Sequence, residues 1–557
     1  MSRVLVIGLD AATFDLVVPW VEAGRLPLFA KLLREGASGT LQSTVPAMSP
    51  PAWTSIITGL NPGRHGIFDF VRRQPGTYNL QSVRRDFTRF RTIFDWLSAY
   101  GKRVAAVNIP MTYPPAEVNG IMISGLGAPA GSGRFTHPVS LRDELMALGY
   151  RLMESESEYI PGQDVTYTDD LIRVTREHGR LAADLLRREP WDLFFVVFRG
   201  VDEAQSYLWH HSDPTHPAHD PEFVEKNGDP VLRVYQATEE VMNDLIQAAG
   251  DDVSVVVVSD HGGGPLYREV YLNAWLSRQG WLTLRHSPSL TRVHHRIMRR
   301  FGVTRDRLSG RFAGPMALRL RKVIPLSLQH RLLPANTATL ADAVEWSRTR
   351  AYSFGYIGQI YVNLKGREPA GIVEPGADYE RLIEDIVGRL DQLVDPLDGR
   401  KVVDRVYRRS EVYHGPYAEL GADLNVIMRN MSYITHLRRE MASSEVFGPI
   451  MTNESGTHRP NGMLILCGPS VLRGQRIGGA RVTDITPTLL NIMGVPVPDD
   501  LDGRTLSEAL STQQVPSVAA AAEAVGISAK EGTLSEWDSA SDEAEVLERL
   551  RRLGYLE

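Results

Sequence analysis

Four short runs constrain this chain more than any other feature: RVLVIGL (3–9), RVAAVNI (103–109), LFFVVF (193–198) and VSVVVVS (253–259). Each is apolar with no polar alternation and is rich in Val, Ile or Phe. A strand with one wet face alternates. A run without alternation suits a strand buried on both faces, as in a parallel sheet covered by helices. Helical patterns fall between the runs, including TIFDWLSAYGK (92–102) and LIRVTREHGRLAADLLRR (171–188). The expected fold is therefore α/β: a doubly wound, mostly parallel sheet with helices on both faces.

The rhythm breaks once. Residues 285–331 are rich in arginine, with Asp306 as their single acid. We read 285–345 as a basic helical insertion, either a solvated helical face or an electropositive lid that attracts anionic substrates. From Ala351 the α/β pattern resumes with GQIYVNL and DYERLIEDIVGRLDQLV. The expected α/β domain is thus discontinuous, over 1–284 and 346–510. Residues 511–557 read as an Ala/Ser-rich linker followed by an amphipathic helix, SDEAEVLERLRRLGYLE. Its acids come first and its basic residues last, as the helix dipole prefers, and it is expected to dock on the body.

Several function classes fall away. A net charge of −6 argues against a general affinity for nucleic acid or anionic membranes. The one cysteine, Cys467, rules out an intramolecular disulfide and fits a reducing compartment. The apolar start is short, is interrupted by Asp10 and lacks a cleavage site. No run of about 18 or more apolar residues suggests a membrane span. The expected location is the cytoplasm.

The chemistry gathers at strand ends, where open α/β sheets bind their ligands. Asp10 ends the first run, Asp202 follows the third, and Asp260 and His261 end the fourth. One acid after one strand is ordinary turn chemistry. Three such acids with a histidine repel unless a cation joins them, and this donor set suits zinc or a similar divalent metal. A dinucleotide site needs G-x-G-x-x-G after the first strand, and GLDAATFD puts bulk where glycine is required. Two features stay open on the residues alone. Ser49, in AMSPPAW, is a helix start or a nucleophile. His458, in a Gly/Pro-flanked loop, reads as a surface histidine.

VIGLDAA, SPPAWTSIITGLNPGRHGIFDF, VVVVSDHGGG and SGTHRPNG, in that order along the chain, resemble the alkaline phosphatase superfamily. The likeness is greatest to its type I phosphodiesterase/nucleotide pyrophosphatase branch and covers most of residues 1–510. The resemblance implies two divalent metal ions, usually zinc, and a Ser or Thr nucleophile, here Ser49. By position it places one metal on Asp10, Asp260 and His261 with the Ser49 oxygen. It places the other on Asp202, His458 and a histidine four residues after Asp202. Ser206 occupies that last position. His210 lies eight residues on, about 12 Å along a helix, too far to share a metal with Asp202.

The implied reaction is hydrolysis of a small-molecule phosphate ester through a phosphoserine. Amides at the start of the helix after Ser49 would bind a phosphate oxygen. Arg199, three residues before Asp202, is a phosphate contact or a salt bridge. Nucleotide pyrophosphatases carry an Asn three residues after the nucleophile, where this chain has Ala52. His65 and His414 read as loop-structuring residues. A sulfatase would need Arg in place of Trp53 in SPPAW. A phosphomutase, or a non-catalytic phospholigand binder with a degraded second metal site, are the other readings.

Overall fold

The computed structural model describes residues 3–85, 90–129, 134–152, 158–285, 340–435, 445–450, 452–511, 517–518 and 540–552. Among these, nine strands form the central sheet: β1 (Arg3–Leu9), β2 (Ala37–Gln42), β3 (Val104–Ile109), β4 (Gly120–Ser124), β5 (Thr136–His137), β6 (Leu193–Phe198), β7 (Val253–Val258), β8 (Asn461–Cys467) and β9 (Ala480–Arg481). Their order is β9-β2-β8-β7-β1-β6-β3-β4-β5. The block β7-β1-β6-β3-β4 is parallel throughout. Only β8 and β5 run against it.

The apolar runs behave as two-faced strands. Leu5, Ile7, Phe194, Val196, Val255 and Val257 enter one core, packed by the helices Phe14–Glu22, Asp164–Arg188 and Pro230–Ala249. Their neighbours Val4, Val6, Phe195, Val197, Val256 and Val258 enter a second core, under the helices Ser49–Thr58, Ile93–Ala99 and Ile485–Ile492. Successive side chains point to opposite faces of a strand, so one unbroken run feeds both layers.

The pattern read as α/β from Ala351 is built differently. Ala351–Ser353, Gln359–Val362, Val403–Arg408 and Leu424–Met428 form a separate antiparallel sheet. It shares a third core with the helix Ala377–Asp391. A strand followed by a helix does not specify which sheet the strand joins, and here pairing is local and antiparallel. The basic segment falls almost wholly on 286–339, outside the described residues, as do 512–516 and 519–539 of the linker. The helix Ala540–Arg552 docks as its pattern suggests. Val546 and Leu550 are buried, and Ser82 Oγ donates to Glu543 Oε1 at 3.2 Å. Among the described residues no helix is long and apolar enough to cross a membrane.

Gly8 is the tightest point of β1. A Cβ there would lie 2.6 Å from the Trp53 ring and 2.8 Å from Val197 Cγ2. Overpacking of this kind costs about 1–3 kcal/mol. Gly8→Ala should lower the urea midpoint accordingly, and an unchanged midpoint would show that the Trp53 ring can retreat freely.

Candidate metal and nucleophile site

The carboxyl ends of β1, β6 and β7 lie side by side in the sheet order, so Asp10, Asp202 and Asp260 emerge at one edge. All three are buried. Asp10 donates its amide to Phe198 O, at the end of β6, at 3.0 Å. Ala11 follows with a left-handed φ of 59° and donates its amide to Asp260 Oδ1 at 3.2 Å. The backbone therefore turns where Asp10 meets Asp260.

His261 and His458 are both tautomer-locked by carbonyls. A carbonyl can only accept, so His261 Nδ1–H donates to Gly262 O at 3.1 Å and His458 Nδ1–H donates to Ala47 O at 3.0 Å. Each Nε2 then carries a lone pair. His261 Nε2 lies 3.3 Å from Ser49 Oγ, 3.6 Å from Asp10 Oδ1 and 3.4 Å from Asp260 Oδ2. His458 Nε2 lies 3.9 Å from Asp202 Oδ1. Burial pulls both imidazoles below their ordinary value and keeps them neutral. Burial and the neighbouring Asp10 push the Asp260 carboxyl up. Asp260 Oδ2 has no hydrogen-bond partner.

His458 arrives on Gly456–Arg459, antiparallel to Gly262–Pro265, with His458 opposite Gly263. A Cβ on Gly263 would meet Gln205 Oε1 at 2.6 Å, so glycine lets this ribbon lie against the helix Gly200–Ser212. Asp202 is in the first turn of that helix.

Ser49 opens the helix Ser49–Thr58, with Met48 at the N-cap and no side-chain capping bond. Its hydroxyl points instead into the site, 3.4 Å from Asp10 Oδ1. The three residues after Ser49 offer no spare amide at the helix start. Pro50 and Pro51 have no N–H, and the Ala52 amide donates to Met48 O at 3.1 Å.

Two donor groups result, each with ligand atoms within 4.8 Å of one another: Asp10, Asp260 and His261, and Asp202, His261 and His458. Carboxylates and neutral imidazoles with an orphaned oxygen form a set that fits a divalent metal ion. Ser206 lies on the same helix as Asp202, and its carbonyl accepts from the Ser455 amide at 2.8 Å. His210 gathers with Asp164 and His211 instead of with Asp202.

Arg199 is a salt bridge at the centre of the site, 1% exposed. Nε donates to Asp10 Oδ2 at 3.2 Å and Nη2 to Asp202 Oδ2 at 3.1 Å. The guanidinium holds each carboxylate by its outer oxygen and leaves Oδ1 facing the histidines. Trp53 also serves the site, donating Nε1–H to Asp10 Oδ2 at 3.2 Å. Sequence reasoning used Trp53 only to set sulfatases aside. Its spacing of four from Ser49, one helical turn, was the available signal. His65 and His414 lie elsewhere, on Ser55 Oγ at 3.1 Å and Asp502 Oδ1 at 2.8 Å.

Removing one partner from a buried ion pair costs about 3–5 kcal/mol, because the remaining charge stays buried. Arg199→Met should lose about that much in denaturant unfolding with chelator present, and excess zinc should recover part of it. Equal stability of wild type and variant in chelator would mean that the two carboxylates do not depend on the guanidinium.

The match to known proteins agrees with this geometry. The family model described as type I phosphodiesterase/nucleotide pyrophosphatase matches residues 4–311, more than half of the chain. No curated protein sequence matches. Among solved structures, an inactive variant of murine ectonucleotide pyrophosphatase/phosphodiesterase 5 in complex with AMP is 12% identical, with a TM-score of 0.51, over 92% of this chain and 100% of that one. Phosphonoacetate hydrolase from Sinorhizobium meliloti 1021, in complex with phosphonoformate, is 14% identical, with a TM-score of 0.50, over 88% and 96%. At these identities the structures speak for the fold. The chain belongs to the type I phosphodiesterase/nucleotide pyrophosphatase family of the alkaline phosphatase superfamily.

Proposed function

We propose that this protein is a metal-dependent phosphoric ester hydrolase, of the phosphodiesterase/nucleotide pyrophosphatase type, that works through a phosphoserine at Ser49. The observation that carries this reading is the Ser49 hydroxyl. It is fully buried, has no capping role, and lies 3.3 Å from His261 Nε2 and 3.4 Å from Asp10 Oδ1. A serine hydroxyl is otherwise a weak nucleophile.

Asp10, Asp260 and His261, with Ser49, would hold one divalent ion, and Asp202 and His458 the other; zinc suits both sets. Bound there, such ions would acidify the serine hydroxyl and carry negative charge on the leaving oxygen. The chain's own residues do the rest. Ser49 Oγ forms the new bond to phosphorus as the ester oxygen departs with the electron pair of the broken bond. The serine proton has the Asp10 carboxylate within reach, 3.4 Å away at Oδ1. Water then cleaves the phosphoserine and restores the hydroxyl. Arg199 and Trp53 keep Asp10 in one orientation throughout.

The substrate class is a small phosphate ester. The AMP in the murine structure supports this reading. The lone Cys467, free and partly buried, supports work in a reducing compartment such as the cytoplasm. Ser49→Ala should lower hydrolysis of bis-p-nitrophenyl phosphate and p-nitrophenyl phosphate by roughly 10³-fold or more. Chelator should stop the wild type and zinc should restore it. If the metal-loaded wild type turns over neither ester faster than Ser49→Ala, the hydrolase reading is wrong.

One residue favours a second reading. With Ser206 in the position of the expected histidine, the Asp202 and His458 group is thin, and a protein that binds phosphorylated ligands without turnover would need no more. Ser206→His should raise both zinc content and rate if the hydrolase is merely weakened there. A rise in zinc with no gain in rate would favour the binder.

A further inference from the structure

The helix that presents Asp202 ends in two adjacent histidines that the hydrolase mechanism does not use. His210 and His211 face Asp164, the first residue of the helix Asp164–Arg188. Ligand atoms of these three residues lie within 4.8 Å of one another. We propose that Asp164, His210 and His211 form a further divalent-metal site, best suited to zinc, which braces the helix carrying Asp202 from its far end.

Three observations carry it. His211 is 4% exposed, and neither of its ring nitrogens has a hydrogen-bond partner. Leaving a buried polar group in that state is costly, and native structures rarely do so without a reason. Asp164 is the nearest charge to His211: burial would raise that carboxyl, but His211 and Tyr159 beside it hold it below the ordinary range. His211 Nε2 stands 3.9 Å from Asp164 Oδ1, beyond hydrogen-bond reach. The other two ligands are already oriented from outside. His210 Nδ1 is 2.9 Å from Ser455 Oγ, which leaves Nε2 for an ion. The Tyr159 hydroxyl donates to Asp164 Oδ1 at 2.6 Å. Fixing a ring through its other nitrogen, as at His210, is how metal sites set tautomer and direction.

The distance between His211 and Asp164, 3.9 Å, is close to that of a zinc site. Zinc bonds of about 2.0–2.1 Å in a tetrahedron put ligand atoms roughly 3.3–3.4 Å apart. The gap between His211 and Asp164 must close by about half an ångström, a side-chain adjustment. Two imidazoles and one carboxylate leave a fourth position for water.

This site is distinct from the one at the sheet edge, because eight residues of helix, about 12 Å, separate His210 from Asp202. It reaches the same elements from their far ends. An ion there would join the start of one helix to the end of the helix carrying Asp202. Through Ser455 it would also steady the segment that enters the His458 strand. The proposal does not depend on the hydrolase reading.

The test is zinc content per chain, by elemental analysis of protein loaded with zinc and then dialysed. Asp164→Asn keeps the side-chain size and an acceptor for Tyr159, so it guards against a folding artefact in His211→Ala. The expected result is one zinc fewer per chain in each variant than in wild type, with Ser49→Ala retaining that equivalent. Equal zinc in wild type, Asp164→Asn and His211→Ala overturns the proposal. Failure of the hydrolase reading shows separately, as metal-loaded wild type that cleaves neither ester faster than Ser49→Ala.

Discussion

Three buried carboxylates at one sheet edge set the terms for everything around them. Asp10, Asp202 and Asp260 are brought together by three neighbouring strands, away from the water that would screen them. Arg199 answers two of the charges with one guanidinium, through the outer oxygens. The cost of the third appears in Asp260, whose carboxyl is pushed toward its neutral form. The two histidines add no positive charge, since burial keeps them neutral and carbonyls take their Nδ1 protons. Lone pairs and inner carboxylate oxygens are left facing one another. An arrangement of this kind has the donors that a cation would neutralise, and the fold alone assembles them.

Much of this was legible in the sequence, for a definable reason. The parallel block was readable because burial on both faces removes polar alternation from a strand, and β1, β3, β6 and β7 show that directly. Asp10, Asp260 and His261 were readable because they come straight after those strands, where the chain must leave the sheet. Elements whose partners lie far away were harder. His458 rides on a ribbon paired with Gly262–Pro265, and nothing local to it says so. The strands after Ala351 look like a continuation of the α/β pattern, yet they pair among themselves. Arg199 reads from the sequence as a phosphate contact or a salt bridge, and its place between Asp10 and Asp202 comes from the fold alone. Trp53 was seen as an identity in a motif rather than as a hydrogen-bond donor.

Ser49 shows how context decides the role of a residue. At the start of a helix a serine normally turns its oxygen back on the backbone. Here Met48 takes the cap position, and the two prolines that follow suit a first turn where amides have no partners to lose. The hydroxyl is thereby released toward Asp10 and His261.

The strand order also has a consequence for how the chain is made. β8 lies between β2 and β7, but it is formed by residues 461–467, long after both neighbours. During synthesis the parallel block would present β7 as an open edge while β2 waits without its partner. Open edges invite pairing with other chains. The segment that closes this gap follows directly on the strand that carries His458. Sealing of the sheet and the arrival of His458 beside Asp202 are therefore one late event, and a ribosome-bound chain stopped short of it would keep an open sheet edge.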